Sequence, residues 1–119
     1  MSFPTFDEFK EIDRLKKQIQ AQVLKIAKDA VVLNSIDFQI SCEIHGFVNG
    51  IDLYVFIGGS NENCSNQTNI LKCYTQPFIY DSLAPSFWQK ILDDLIAGQK
   101  KLRELKKKQI AEAKKAEAV

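Results

Sequence analysis

The sequence is poor in the residues from which most metal, redox and catalytic sites are built. Its 119 residues include one histidine and three cysteines, and no two cysteines have a C-x-x-C spacing. An odd number of cysteines argues against a disulfide scaffold and favours a reducing, cytoplasmic setting. Strand alternation places His45 and Cys42 on opposite faces of a sheet, which argues against a shared zinc ion. We therefore predict no metal site and no cofactor.

Long apolar runs and processing signals are also missing. No apolar run approaches the roughly 20 residues of a membrane-spanning helix. The first five residues, Met-Ser-Phe-Pro-Thr, have neither the basic nor the apolar region of a signal peptide. Gly58-Gly59 is not followed by the Lys-Ser/Thr of a phosphate-binding loop. The sequence predicts a cytoplasmic protein with no membrane segment and no enzymatic activity.

The strongest structural signal lies between residues 36 and 57. Apolar and polar residues alternate from Ile36 to His45 and again from Ile51 to Ile57. A period of two is typical of strands whose faces differ. Asn49-Gly50 between the runs is typical of a two-residue type I′ turn. Such a turn predicts the following opposite pairs: Val48 with Ile51, Ile44 with Val55, and Cys42 with Ile57.

Apolar residues at steps of three and four predict a helix at each end of the chain. Thr5 and Glu8 form a capping-box pattern before the first helix, and Ser86 and Gln89 form another before the second. The predicted fold is α+β with the order α-β-β-β-α. Its elements are an N-terminal helix (6–31), a three-stranded antiparallel meander (roughly 35–47, 51–58 and 69–76) and a long C-terminal helix (86–116). Residues 1–99 would form one domain and residues 100–119 a basic helical extension.

Charge is unevenly distributed along the chain. Residues 31–99 carry seven acidic and two basic residues, whereas residues 100–119 carry eight basic and three acidic ones. The sheet face opposite Cys42 and Ile44 is predicted to combine aromatic with acidic groups. Either a terminal helix covers this face or a partner binds it. The candidate partner-binding residues are Glu43, His45, Asp52, Tyr54, Phe56 and Tyr74.

The basic C-terminal helix has two interpretations. It is either a solvated helix end or a surface that contacts nucleic-acid phosphates or an acidic protein. The candidate nucleic-acid-binding residues are Lys100, Lys101, Arg103, Lys106, Lys107 and Lys108.

Together these features predict a small non-enzymatic protein that binds another macromolecule. An aromatic and acidic face suits a protein partner. The concrete form of this hypothesis is an inhibitor or adaptor of the phage or mobile-element type, for example an anti-defence protein whose acidic face mimics nucleic acid. The alternative is a nucleic-acid-binding protein that uses the basic C-terminal helix. A homodimer is compatible with either hypothesis.

Overall fold

The computed structural model describes residues 5–45, 50–58, 66–74 and 84–117. Three strands form one antiparallel sheet with β2 in the centre. The predicted α+β class and the order α-β-β-β-α are therefore confirmed. The elements are α1 (Phe6–Leu33), β1 (Phe38–His45), β2 (Gly50–Ile57), β3 (Gln67–Tyr74) and α2 (Pro85–Glu117).

The start of α1 follows the predicted capping box. The Thr5 hydroxyl accepts a hydrogen bond from the Glu8 amide at 3.2 Å. The Glu8 carboxylate accepts one from the Thr5 amide at 3.1 Å. These two bonds satisfy backbone donors that have no partner inside the helix, and they fix where α1 begins.

The start of α2 differs from the prediction. The helix begins at Pro85, so Ser86 lies inside its first turn and is not the cap. Proline suits the first helical position because its fixed φ is already helical and its missing N–H would have no helical acceptor. The amide of Phe87 donates to the carbonyl of Ala84 at 3.1 Å.

The register between β1 and β2 also differs from the prediction. Ile44 pairs with Ile51, Gly50 belongs to β2, and residues 46–49 connect the strands. A two-residue turn would set Phe38 opposite residue 61, beyond the end of β2. The observed register pairs Phe38 with Ile57, and Phe38 is fully buried. A shift of four residues changes no side chain's face, because the strand period is two.

Strand β3 begins before the predicted residue 69, within residues 60–69, whose polar composition is typical of a loop. Gln67 already pairs with Phe56. The pairing of β2 with β3 is irregular on both sides of Leu53, so strict alternation does not hold along β3. Sequence alternation predicts Leu71 on the core face and Ile70 on the opposite face, but in the structure Ile70 also packs against the core. The short run at residues 78–80 predicts either a fourth strand or a covering loop, and it lies outside the described residues.

Both helices pack on the same face of the sheet. Leu53 and Val55 of β2 have no exposed surface and share one core cluster with residues of both helices. Helix α1 lies against β1 and α2 lies against β3. The helix-derived members of this cluster are Ile26 from α1 and Ile91, Leu95 and Leu102 from α2.

Helices α1 and α2 run parallel and are joined by a polar chain. The Gln22 side-chain amide donates to that of Gln99 at 2.7 Å, and Gln99 donates to the Asp29 carboxylate at 2.9 Å. Arg103 donates to both oxygens of Asp29, at 2.6 and 3.2 Å. Gln22 and Gln99 are only 5% and 8% exposed. Such buried groups are stable only when hydrogen-bonded, so this chain aligns the two helices lengthwise.

Helix α2 crosses the predicted domain boundary without interruption. Leu102 is fully buried in the core, and Leu105 packs against it. The packed part of α2 therefore continues past residue 99. The division into a domain of residues 1–99 and an extension of residues 100–119 stays a prediction.

Candidate interaction surfaces

The sheet has a second face, directed away from both helices, which we call the outer sheet face. The helices occupy the face of Leu53 and Val55, and neighbouring residues of a strand point to opposite faces. In the described strands the outer sheet face therefore consists of Gln39, Ser41, Glu43, Asp52, Tyr54, Phe56, Gln67 and Asn69.

Two aromatic rings form the centre of the outer sheet face. Tyr54 and Phe56 of β2 meet edge to face, with ring centroids 5.6 Å apart and ring planes at 87°. This is a favourable geometry for an aromatic pair. The Tyr54 hydroxyl donates to the Glu43 carboxylate of β1 at 3.3 Å. The central strand thus carries a fixed aromatic pair with one polar end.

Two carboxylates flank these rings. Glu43 and Asp52 are directly opposite in the register of β1 and β2. Glu43 is exposed and Asp52 is half-buried. Like charges at opposite positions of two strands are unfavourable for the sheet. Two acidic side chains therefore lie side by side at this end of the outer sheet face.

The structure brings four of the six predicted partner-binding residues together on the outer sheet face: Glu43, Asp52, Tyr54 and Phe56. His45 pairs with Gly50, not with Tyr54 as the two-residue turn implied. Tyr74 pairs with Ile51, past both irregularities of the β2–β3 ladder. The side chains of His45 and Tyr74 lie outside the described part of the chain, so their membership of the surface stays a prediction.

The sequence did not indicate two polar residues on this face. Gln67 and Asn69 lie beside Phe56 and Tyr54 in the register, and the side-chain amide of Gln67 donates to the side-chain carbonyl oxygen of Asn69 at 2.7 Å. They stand at the end of a polar run that resembles a loop. Only Gln67, Thr68 and Asn69 alternate regularly, since Leu71 lies on the core face, and this alternation is too short to separate them from that run.

The six predicted basic residues of α2 divide into two groups. Arg103 is bound by Asp29, which raises the pKa of the guanidinium through the hydrogen bond and lowers that of the carboxyl. Lys106 donates to the Ser35 hydroxyl at 3.0 Å and lies 5.0 Å from the centre of the Phe38 ring. These two residues therefore stabilise the fold. The other four are exposed: Lys100, Lys101, Lys107 and Lys108.

Neither metal nor thiol chemistry is indicated among the residues that the structure describes. They contain no cluster of three or more histidine, cysteine or acidic side chains suited to a metal ion. Burial raises the pKa of the Cys42 thiol, which disfavours the reactive thiolate. Cys64 lies outside the described residues, as does the side chain of Cys73.

Within the described ranges, neither helix has a stretch apolar enough to span a bilayer.

Comparison with known proteins gives no relative: no protein-family model, no curated protein and no solved structure matches the chain.

Proposed function

We propose that this protein is a non-enzymatic binding protein whose outer sheet face docks on another protein. The observation that carries this proposal is the packing of both helices on the Leu53 and Val55 face. Neither helix covers Tyr54 and Phe56. Among the described residues, the helices and the outer sheet face therefore lie on opposite sides of the sheet.

The chemistry of the outer sheet face supports a partner that presents arginine. The Tyr54 and Phe56 rings offer apolar area, and Glu43 and Asp52 add negative charge beside them. A guanidinium stacks on aromatic rings and binds carboxylates with paired hydrogen bonds. Tyrosine and arginine are also the residues that carry most energy at protein interfaces. We therefore propose an arginine-bearing protein surface as the partner.

An inhibitor or adaptor is the form of activity that fits this surface. A protein that binds nucleic acid presents arginine and lysine to phosphates. The acidic outer sheet face could occupy the nucleic-acid-binding site of such a partner and compete with the nucleic acid. The protein would then act by blocking its partner.

The test is affinity capture with variants of the outer sheet face, followed by binding measurements with the purified partner. The double variant Tyr54→Ser with Phe56→Ser should fail to capture a protein that the wild type captures. The matched control is Phe6→Ser with Phe9→Ser, which removes two exposed aromatic rings from α1 instead. This control should retain that protein.

Calorimetry with the purified partner then measures the loss. The Tyr54/Phe56 double variant should bind at least about tenfold more weakly, since each aromatic anchor is typically worth more than 1 kcal/mol. Glu43→Gln should mainly slow association and reduce its salt dependence. Unfolding of the aromatic variant, seen by circular dichroism, would show that these rings belong to the core and would contradict the proposal.

A further inference from the structure

The exposed lysines of α2 form two regular rows. One row is Lys100, Lys107 and Lys114, and the other is Lys101, Lys108 and Lys115, all of them exposed. A spacing of seven residues returns to the same side of a helix with a drift of only about 20°. Adjacent residues are about 100° apart around the axis. The two rows therefore run side by side along α2, separated by about a quarter of its circumference.

The rows lie away from the contacts that hold α2 in the fold. Leu102 faces the core, while Arg103 and Lys106 contact α1, Ser35 and Phe38. Between residues 100 and 115 the acidic residues are Glu104 and Glu112. The side of α2 directed away from the sheet therefore carries the six lysines of the rows, with Glu104 between them.

The last part of α2 extends beyond its neighbour. Lys106 reaches Ser35, which follows the end of α1 at Leu33. Since the helices run parallel, residues 107–117 continue past the end of α1. At 1.5 Å per residue this segment is about 16 Å long. Its residues 110–115 are exposed.

We propose that the two lysine rows bind the phosphate backbone of duplex DNA, with residues 107–117 in the major groove. A helix about 10–12 Å wide fits the B-form major groove, which is about 12 Å across. The narrow major groove of an RNA duplex does not admit it. Each row would then face the phosphates of one strand.

The composition of the rows selects this partner over others. Residues 100–115 contain no aromatic side chain on which single-stranded bases could stack. They also lack the apolar face by which amphipathic helices enter a lipid interface, since Leu102 is used by the core. Lysine contacts to phosphates carry no base readout. Binding should therefore be independent of sequence and sensitive to salt.

Fluorescence anisotropy with the full chain tests the proposal. The probe is a mixed-sequence DNA duplex of about 25 base pairs, which is longer than α2. The logarithm of the binding constant should fall linearly with the logarithm of the salt concentration between about 50 and 200 mM. The gradient of this line is the salt slope. Lys107→Gln with Lys108→Gln should reduce the salt slope by about 2, and Lys114→Gln with Lys115→Gln should do the same.

The matched control removes the same charge elsewhere. Lys17→Gln with Lys25→Gln changes two exposed lysines of α1 and should leave the slope unchanged. Tyr54→Ser with Phe56→Ser should also leave it unchanged, which separates this inference from the proposed function. Circular dichroism should show that every variant is folded.

Several results would overturn the inference. They are the absence of duplex binding at about 50 mM salt, an equal loss in the α1 control, and equal or tighter binding to single-stranded DNA or an RNA duplex. Equal lysine-dependent binding to polyglutamate or to phosphatidylserine vesicles would likewise assign the rows to an acidic protein or to a membrane surface.

Discussion

Gly98 illustrates how a single residue can be unfavourable for its own helix yet favourable for the packing of that helix on the sheet. Glycine in a helix interior costs about 1 kcal/mol relative to alanine. In α2, however, a Cβ at position 98 would lie 2.9–3.1 Å from three side-chain carbons of Leu71. Leu71 is buried in β3. The missing side chain therefore lets α2 approach the sheet closely.

Gly98→Ala should for this reason lower the free energy of unfolding, despite alanine's higher helix propensity. Overpacking a core costs about 1–3 kcal/mol, and the gain in propensity offsets about 1 kcal/mol of it. Urea denaturation measures the net loss, which we expect to be about 1 kcal/mol. In a Leu71→Ala background the sign should reverse, because the clash is gone and only the propensity remains. Stabilisation by Gly98→Ala in the wild-type background would contradict this account.

At the scale of elements, the pairing of α1 with α2 depends on a polar chain within an apolar seam. Gln22 and Gln99 are nearly buried, and Asp29 joins them to Arg103. Apolar periodicity predicted that each helix has a buried side. It did not predict which polar residues would be buried, because a glutamine is buried only when a matching partner faces it.

The pH dependence of stability should report the Asp29 contacts. The hydrogen bond from Arg103 holds the pKa of Asp29 below its usual value, with a smaller contribution from Gln99. A carboxyl with a lowered folded-state pKa contributes stability above its unfolded-state pKa of about 3.9 and loses it as pH falls through the folded-state value. Asp29→Asn should therefore be less stable than the wild type at neutral pH, and the difference should shrink in acid.

Denaturant unfolding at neutral pH and below about pH 3 checks this expectation. Asp13→Asn is the matched control, since Asp13 is an exposed carboxylate on the same helix. The free energy of unfolding of Asp13→Asn should equal that of the wild type at both pH values. If the difference in free energy of unfolding between Asp29→Asn and the wild type stays the same in acid, the charge of the carboxylate is not what stabilises the helix pair.

At the scale of the whole molecule, the protein is more elongated than a typical domain with the same number of residues. Its radius of gyration is 17.4 Å and its principal extents are 63 × 26 × 19 Å. A compact domain of this length would have a radius of about 13.5 Å. The long α2 accounts for the difference, because its last part continues past the end of α1.

Truncation separates the packed part of α2 from the projecting part. A chain ending after Ala111 should unfold at nearly the same denaturant concentration as the wild type, with a smaller radius of gyration by X-ray scattering. A chain ending after Gln99 loses fully buried Leu102 as well as Arg103. It should lose more than about 3 kcal/mol of stability. Equal stability of the two truncated chains would instead support a domain that is complete at residue 99.

The sequence alone determined the order of the elements and the two faces of β1 and β2. These features follow from local periodicity: steps of three and four define a helix face, and a period of two defines a strand face. The capping box at Thr5 could be predicted for the same reason, since Thr5 and Glu8 interact within one turn. Four residues of the candidate sheet surface were predicted on this basis.

Only the tertiary structure decided the strand register, the face that the helices cover and the lysines that remain exposed. A four-residue shift in register leaves every side chain of β1 on its own face, so the pattern could not choose between the alternatives, whereas burial of Phe38 could. An apolar stripe on a helix likewise does not specify which sheet face it will meet. Arg103 and Lys106 resemble their neighbours in sequence, but Asp29 and Ser35, more than 70 positions away, bind them. Such contacts between distant residues exist only once the chain has folded.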